Sequence, residues 1–441
     1  MGESIMEKII NAFLWLRRRS FFRVVQRTFM ILMPVATLGA YFEFINSSIF
    51  SPNSLVYNLL NFDYTMTDRI WNFGDAISSG IVAVTLGLFG LYAAYFSAVY
   101  TARLYHKDAT VAGICAIIVV TFYTYMVNGD NYAKLQNMSY LKMLGFHSLL
   151  FTIVAGYFVG QIFHFFGRDY VHVKLEHVVA VRDRTWNSLI PAAIAVLIGM
   201  IFSGIVYYLK LKLIDLNYFN NMTEQLRSSN DIPTILGLTL ATLVLSWLGI
   251  NGPLITVTTS VNSGAAIANM NHALRHGSTM NLPYKFLGGP LVRGYGLMGT
   301  SGVILALAVA LLLFTNNREI EAIAKLNLLP VIFNSPIGLI IGLPIILNPL
   351  YLLPLVLIPV INELLATIAI GLHLISPLAY PVLSGTPGIL ISFLGTNGNW
   401  SSFLFTLGLF ILDIVLLIPF VFLGLKINER LKEYDETATA F

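Results

Sequence analysis

Long stretches without Asp, Glu, Lys or Arg dominate the pattern of hydrophobic and polar positions along the chain. In the first half these stretches are separated by short charged segments, and Glu43 is the one charged residue that falls inside any of them. Each stretch reaches the roughly 20 residues that a helix needs to cross the hydrocarbon core of a bilayer. The pattern therefore predicts five membrane-spanning helices, over residues 28–45, 76–102, 109–129, 143–167 and 185–209.

The charge-free stretches of the second half are longer and are interrupted. They cover residues 232–274, 326–362 and 364–412, and each exceeds the length of one crossing. Gly and Pro residues such as Gly252 and Pro387 lie inside them, where a continuous helix would lose hydrogen bonds. Because irregular backbone at membrane depth must be covered by protein or line a water-filled cavity, we expect broken helices or re-entrant hairpins around a substrate site.

The complete pattern predicts an all-α integral membrane protein with about ten transmembrane helices. An even number of crossings places both termini on the same side of the membrane. Lys and Arg are more frequent in the segments on the side of the N-terminus, so the positive-inside rule predicts that both termini are cytoplasmic. The five further crossings are predicted at residues 232–250, 294–316, 345–368, 374–395 and 402–425.

Composition excludes an ordinary water-soluble fold. Hydrophobic residues make up 56% of the chain and charged residues 11%, whereas a soluble domain has about 25% charged residues. The net charge of +4 gives no indication of a nucleic-acid partner. The single cysteine, Cys115, excludes an intrachain disulfide, and His272 and His276 stand four residues apart without a third ligand nearby. We therefore predict neither a metal site nor a cofactor.

Two segments of the second half carry a family resemblance. Residues 342–349 read Gly-Leu-Pro-Ile-Ile-Leu-Asn-Pro, and residues 386–400 read TPGILISFLGTNGNW. They resemble the membrane component, enzyme IIC, of the lactose/cellobiose/chitobiose family of the bacterial phosphoenolpyruvate-dependent sugar phosphotransferase system. The resemblance covers about residues 6–430, and it includes Arg19–Gly39, Leu86–Gly113, His172–Ala193 and Trp247–Pro253.

The resemblance implies an organisation, partners and a location. Residues 1–215 would form a five-helix scaffold and dimerisation domain, and residues 216–441 a substrate-binding transport domain with broken helices and two re-entrant hairpins. The implied protein is a homodimer in the bacterial cytoplasmic membrane, in contact with lipid, that imports a sugar, expected to be a β-linked disaccharide. A phosphorylated enzyme IIB, supplied by a IIA, would phosphorylate the sugar. The chain has no cysteine motif of a IIB, so both partners would be separate chains.

Four positions depart from the family pattern at its sugar site. The family's His in Gly-Ile-His-Gly falls on Asn251, and its Glu in Asn-Glu-Pro falls on Ile337. Two tryptophans that would stack on sugar rings fall on Ser246 and Ser384, although Trp247 is adjacent to the first. Neither an amide nor an alkyl side chain can take the proton of a sugar hydroxyl. We therefore predict no catalytic residue, and the ability to support phosphorylation stays open.

Polar residues beside the Gly and Pro breaks are the candidates for a neutral polar substrate. The alternative is that some of them only satisfy the backbone of broken helices. For Asn348, in a Leu-Asn-Pro turn, capping of the following helix is the favoured interpretation. The candidate substrate-binding residues are Trp247, Asn251, Gly252, Asn334, Ser335, Ser384 and Asn348.

Three acids fall within predicted helices, where an unpaired carboxylate is costly. Glu43 lies near the outer end of the first helix, and its side chain is expected to reach the membrane interface. Glu363 and Asp413 lie in the eighth and last helices and are candidates for coupling transport to a proton or another cation.

Three functions fit the sequence. The first is an enzyme IIC that imports a sugar and presents it to phosphorylated IIB, and the extent of the resemblance favours it. The second is a transporter of the same fold for another small polar solute, or for sugar without phosphorylation. The third is a receptor that does not transport.

Overall fold

The computed structural model describes residues 5–128, 144–146, 148–169, 178–213, 229–250 and 263–439. Within these residues all regular structure is helical, apart from one isolated bridge between Ser54 and Ser384. The helices are α1 (Ile5–Arg17), α2 (Ser20–Ser48), α3 (Leu55–Leu59), α4 (Phe62–Thr65), α5 (Asp68–Thr85), α6 (Phe89–Leu104), α7 (Ala109–Asn128), α8 (Leu149–Phe166), α9 (Val178–Leu213), α10 (Ile232–Trp247), α11 (Gly264–His276), α12 (Gly288–Leu291), a π-helix (Val292–Gly296), α13 (Gly302–Phe314), α14 (Arg318–Ile332), α15 (Ile337–Gly342), α16 (Pro349–Gly371), a 3₁₀-helix (Gly388–Leu390), α17 (Ile391–Gly395) and α18 (Trp400–Thr439).

The described residues contain seven helical stretches that are long and apolar enough to cross a membrane. Five of them overlap the five crossings predicted for the first half of the chain, with α5 and α6 forming one stretch. Two shorter apolar helices, α10 and α13, are added in the second half. An all-helical membrane fold is therefore confirmed, whereas the total of ten crossings and the two re-entrant hairpins stay predictions. The seven stretches are Ser20–Ser48, Asp68–Leu104, Ala109–Val127, Leu149–Phe166, Thr185–Leu209, Pro349–Gly371 and Trp400–Arg430.

The predicted crossing at residues 374–395 is not a continuous helix. Residues 374–387 have no helical structure, and only the short 3₁₀-helix and α17 follow them. Pro377, Pro381 and Pro387 explain the difference, because a proline lacks the N–H group that a helix interior needs. The charge-free pattern showed that this segment is apolar, and its prolines determine that it is irregular.

The helices form two compact units. The first unit comprises Leu16–Pro34 and Ala83–Phe219, and the second comprises Met1–Trp15, Val35–Val82 and Asn220–Phe441. Helix α2 thus contributes to both, and it contains Pro34 at the point of division. The predicted domain boundary at residue 215 falls within residues 214–228, outside the described part of the chain.

Small residues allow the helices of the first unit to approach closely. A Cβ atom at Gly156 would collide with the carbonyl oxygen of Ala94, and one at Gly160 would collide with Thr101. Asp108 immediately precedes α7 and caps its first turn. Its Oδ1 accepts hydrogen bonds from the amides of Thr110 and Val111, at 3.1 and 3.2 Å. Close backbone approach through small residues is typical of helix packing in membranes.

The core of the second unit is built around α13. This helix is apolar on every side, and all but one of its residues from Gly302 to Leu311 are buried. Leu417 and Val421 of α18 and Val331 of α14 belong to the same hydrophobic cluster. A helix without a polar face is stable only when other apolar groups surround it, so α13 forms a central element of this unit.

Candidate functional site

A polar cavity of about 260 Å³ lies within the second unit. Segments that are distant in sequence form its wall: the end of α2, the π-helix with the turn that follows it, the turn after α14, and the irregular segment before the 3₁₀-helix together with the start of α17. Three predicted residues, Asn334, Ser335 and Ser384, are brought together here. The described lining residues are Glu43, Ser47, Arg293, Gly299, Thr300, Phe333, Asn334, Ser335, Leu383, Ser384, Gly385, Thr386 and Ile391.

Asn334 connects two walls of this cavity. Its Oδ1 accepts from the amide of Thr300 at 3.2 Å and from the hydroxyl of Ser301 at 3.0 Å. Its Nδ2 donates to the carbonyl oxygen of Thr386 at 2.6 Å. The backbone of Asn334 is left-handed, with φ of 65°, a conformation that asparagine tolerates better than most residues. Asn334 therefore has a bracing role in the cavity wall, whether or not it also touches substrate.

Glu43 brings a carboxylate into the cavity. The hydroxyl of Ser335 donates to Glu43 Oε2, and the ring of neighbouring Phe44 lies 4.7 Å from the ring of Phe333. The carboxylate of Glu43 therefore lines the cavity, and the expectation that it reaches the membrane interface stays a prediction. The end of α2 packs against the turn after α14, which turns this carboxylate towards the interior of the unit.

Ser384 is held in place by the loop after α2. Its amide donates to the carbonyl oxygen of Asn53 at 2.9 Å, and its own carbonyl accepts from the amide of Leu55 at 3.0 Å. The next residue, Gly385, has φ of 62°, and a Cβ atom there would collide with Ser48. Glycine is therefore needed at this turn to keep Ser384 at the cavity wall.

Trp247 and Asn348 contact each other, and neither is among the described residues that line the cavity. The indole Nε1 of Trp247 donates to the carbonyl oxygen of Asn348 at 3.0 Å. Asn348 Oδ1 accepts from the amide of Leu350 at 3.3 Å at the start of α16, which confirms the capping interpretation. Asn251 and Gly252 lie in residues 251–262, outside the described part of the chain.

The Asn348→Ala variant is expected to lose this helix cap. We expect the free energy of unfolding to fall by about 1 kcal/mol, the usual cost of removing an N-cap side chain. Sugar affinity is expected to stay within about twofold of wild type, because the side chain lies apart from the described cavity wall. Thermal unfolding in detergent and calorimetric sugar binding check both values. A tenfold weaker affinity with unchanged unfolding would assign Asn348 to the substrate instead.

A second cavity, of about 150 Å³, shares two lining residues with the first. Arg293, on the π-helix, and Ile391, at the start of α17, line both. The second cavity is otherwise mostly apolar and contains Tyr380 and Pro381. Arg293 is thus a cationic residue shared by the linings of the two cavities.

The two candidate coupling acids lie elsewhere in the second unit. Glu363 and Asp413 are completely buried, and neither is among the described residues of the cavity wall. The histidine pair is also separate from the cavity: the rings of His272 and His276 stack at 4.0 Å on α11, and His276 Nδ1 lies 2.9 Å from the carbonyl oxygen of His272. In the described residues there is no cluster of His, Cys, Asp and Glu that could hold a metal ion.

Comparison with known proteins identifies the family. Residues 26–359 match the family described as "Phosphotransferase system, EIIC". The cellobiose-specific EIIC component of Lactococcus lactis is 26% identical over 58% of this chain and 56% of its own length. The oligo-beta-mannoside-specific EIIC component of Bacillus subtilis is 22% identical over 86% of this chain and 83% of its own length.

One solved structure also covers the chain. It is the transporter ChbC, the IIC component from the N,N'-diacetylchitobiose-specific phosphotransferase system, with 20% identity and a TM-score of 0.42 over 95% of this chain and 96% of that chain.

Broken apolar helices around a polar cavity are typical of a membrane permease component. This chain belongs to the EIIC family of the phosphotransferase system, and the resemblance of its sequence to the lactose/cellobiose branch is confirmed. It is an integral membrane component of sugar transport. Glu43 and Arg293 are the charged lining residues, and the sequence did not indicate either of them as part of a site. The only signal for Glu43 was its position as the sole acid in the first charge-free stretch.

Proposed function

We propose that this protein imports a β-linked disaccharide across the bacterial cytoplasmic membrane and presents it to a separate, phosphorylated enzyme IIB. The single observation that carries the proposal is the cavity that brings Glu43, Asn334, Ser335 and Ser384 together in the second unit. Sugar hydroxyls both donate and accept hydrogen bonds, so they suit a wall of carboxylate, amide and hydroxyl groups. The names of the cellobiose and oligo-beta-mannoside relatives support the β-linkage.

In this proposal the Glu43 carboxylate replaces the glutamate carboxylate that the family has at the position of Ile337. Ile337 begins α15 and is not among the described lining residues, whereas Glu43 enters the cavity from α2. A carboxylate accepts strong hydrogen bonds from sugar hydroxyls. It also accepts the hydroxyl proton as the new oxygen–phosphorus bond forms and the sulfur–phosphorus bond of the IIB phosphocysteine breaks. A polar side chain from the first helices thereby compensates for an apolar one in the family's motif.

The remaining parts of the proposal follow from family membership and topology. The protein is a homodimer with contacts in residues 1–215, both of its termini are cytoplasmic, and IIA and IIB are separate chains. The second candidate function is transport of sugar, or of another small polar solute, without phosphorylation. Asn251 favours this alternative, because an amide cannot serve as the base that a histidine provides.

Uptake by lipid vesicles that contain the purified protein separates these functions. The test uses labelled cellobiose, mannobiose, lactose and N,N'-diacetylchitobiose, with and without IIA, IIB and phosphoenolpyruvate. We expect sugar phosphate to accumulate inside only when all the phosphorylation partners are present. Free sugar that equilibrates at the same rate without them would support the second candidate. Failure of every sugar to bind would contradict the sugar proposal itself.

A further inference from the structure

Two carboxyl groups lie completely buried in the second unit, apart from the sugar cavity. Glu363 is on α16 and Asp413 is on α18, and each has no exposed surface. Asp413 has a partner: the Nδ2 of Asn362 donates to its two oxygens at 3.0 and 3.2 Å. This hydrogen bond compensates part of the cost of burying Asp413. Glu363, the next residue along α16, has no comparable arrangement.

Neither carboxyl oxygen of Glu363 has a hydrogen-bond partner in the part of the chain that the structure describes. The hydroxyl of Thr239 on α10 lies beside the carboxyl, but the two groups do not form a hydrogen bond of regular geometry. The Oδ1 of Asn362 and the hydroxyl of Thr242 are also buried without a described partner. Thr239 is thus the one described polar side chain beside the Glu363 carboxyl, and its hydroxyl carries no charge that could compensate a carboxylate.

No described cation compensates the charge of Glu363. The helices α10, α12 and α13, which pack against α16, contain no titratable side chain. The π-helix contains Arg293, which lines the cavities, and Tyr295, whose hydroxyl donates to the carbonyl oxygen of Ser376 at 2.6 Å. The facing acid on α18 is Asp413, and the next charged residue on that helix, Lys426, lies about 20 Å further along it. A carboxylate in such surroundings is neutralised by a proton rather than left ionised.

The π-helix connects this carboxyl group to the sugar cavity. A Cβ atom at Gly296 would lie 2.7 Å from Glu363 Oε1, so the carboxyl group packs directly on the backbone at this glycine. The carbonyl oxygen of Gly296 also lies 3.5 Å from the Nδ2 of Asn362. The same segment, residues 292–300, carries Arg293, Gly299 and Thr300 into the cavity wall. One short segment therefore has the buried acid on one side and the cavity on the other.

The backbone of this segment is unusual in two ways. Its first part is a π-helix, a rare form that is frequently found at functional sites. The following residues, Met298 and Gly299, both have left-handed backbone, with φ of 44° and 91°. Such conformations persist only where the surrounding structure holds them. A change in the packing of Glu363 against Gly296 would therefore alter the position of the cavity wall.

We propose that Glu363 is a proton-binding site linked to the sugar cavity through residues 292–300. The proton occupies Glu363 while the segment packs against it as in this structure, and it leaves to water when transport moves the segment and exposes the carboxyl group. The linkage to sugar rests on the proposed function, whereas the proton site itself does not. Asp413 and Asn362 hold the neighbouring part of α16 in position.

Infrared difference spectra test the proton site without any sugar. The purified protein in lipid is titrated from about pH 5 to about pH 9, the range in which buried glutamates release protons. We expect protonated-carboxyl bands that are lost with rising pH in the wild type, and we expect Glu363→Gln to lack the Glu363 component while any component of the neighbouring Asp413 remains. The Glu43→Gln variant, which removes a carboxyl group from the cavity, is the matched control and is expected to keep the Glu363 component. Identical spectra for wild type and Glu363→Gln would overturn the assignment.

Calorimetry then tests the linkage. Sugar binding is measured in buffers that differ in ionisation enthalpy, which gives the number of protons exchanged for each sugar bound. We expect a non-zero number and a pH-dependent dissociation constant, with a change of up to about tenfold per pH unit for one linked proton. Both are expected to vanish in Glu363→Gln, while its affinity at low pH stays within about threefold of wild type. An unchanged proton number in this variant would overturn the linkage.

Three further outcomes are distinguishable. Absence of sugar binding in the wild type would contradict the proposed function, while the infrared result would still decide the proton site. If the sugar affinity of the wild type depends on Na⁺ instead of pH, and this dependence is lost in Glu363→Gln, Glu363 binds a metal cation. That result would overturn the assignment of a proton site. If Glu363→Gln does not fold, Glu363→Asp shortens the side chain and draws the carboxyl group away from Gly296. It is then expected to shift the infrared transition, and an unshifted transition would contradict the proposal.

Discussion

The Glu43→Gln variant is expected to bind sugar about 10- to 100-fold more weakly than the wild type and to form sugar phosphate more slowly still. The loss of affinity corresponds to the roughly 1.5–3 kcal/mol that a hydrogen bond to a charged group contributes. If the carboxylate also takes the hydroxyl proton, phosphorylation of bound sugar falls by a further factor of about 10² to 10⁴, the usual contribution of a general base. Glutamine keeps the size and the acceptor oxygen of the side chain, so it removes the charge with little change in packing.

Two measurements separate these effects. Calorimetry gives the dissociation constant, and the initial rate of sugar phosphate formation at saturating sugar, with phosphorylated IIB, gives the chemical step. Ser335→Ala is the matched variant, because it removes the hydroxyl that donates to Glu43 while it leaves the carboxylate in the cavity. We expect it to weaken sugar binding by less than tenfold and to leave the saturated rate within about threefold of wild type. Wild-type affinity and rate in Glu43→Gln would show that the cavity is not the sugar site.

Asn334→Ala is expected to be the most destabilising single change in the cavity wall. It removes the three hydrogen bonds from the side chain to Thr300, Ser301 and Thr386, each contributing about 0.5–1.5 kcal/mol. It also places alanine in a left-handed conformation, which costs about 1–2 kcal/mol. We therefore expect the free energy of unfolding to fall by about 3–5 kcal/mol and sugar uptake to be lost. If the proposed homodimer forms through residues 1–215, its dimerisation is expected to persist in the folded fraction.

The Asn334→Gly variant is the control for backbone conformation. Glycine adopts left-handed backbone without strain, so this variant loses the side-chain hydrogen bonds alone. We expect it to be more stable than Asn334→Ala by about 1 kcal/mol and to be equally inactive in uptake. Thermal unfolding in detergent and vesicle uptake provide the two readouts. Wild-type uptake by both variants would show that the brace between the turns is not needed for transport.

The long charge-free stretches predicted the helical membrane fold because hydrophobicity acts over whole helices and leaves a periodic record in the sequence. The Gly and Pro breaks indicated where the regular helices end, and Asn334 and Ser335 were recognised because they stand beside such a break. Ser384 was proposed because it falls on the position of a family tryptophan. The sequence could indicate Asn334 and Ser335 because the signal for each is given by the residues next to it in the chain.

Glu43 could not be assigned in this way. The hydroxyl that it binds belongs to Ser335, 292 residues later, and no local pattern predicts that approach. On the sequence alone, an acid near the end of an apolar helix is most simply explained by a side chain that reaches the interface. The prediction for residues 374–395 was wrong for a related reason: absence of charge measures solubility in lipid, whereas the three prolines decide whether the backbone is helical.

The buried position of α13 has a consequence for biogenesis. This helix has 13 residues, about 20 Å of length, which is too short to cross the hydrocarbon core by itself. Its cover includes Leu417 and Val421, which the ribosome adds about a hundred residues later. Until α18 has been synthesised, the apolar surface of α13 lacks one of the helices that cover it. The core of the second unit is therefore completed only once α18 has been translated, and a chain that stops before α18 leaves this part of the apolar surface of α13 uncovered.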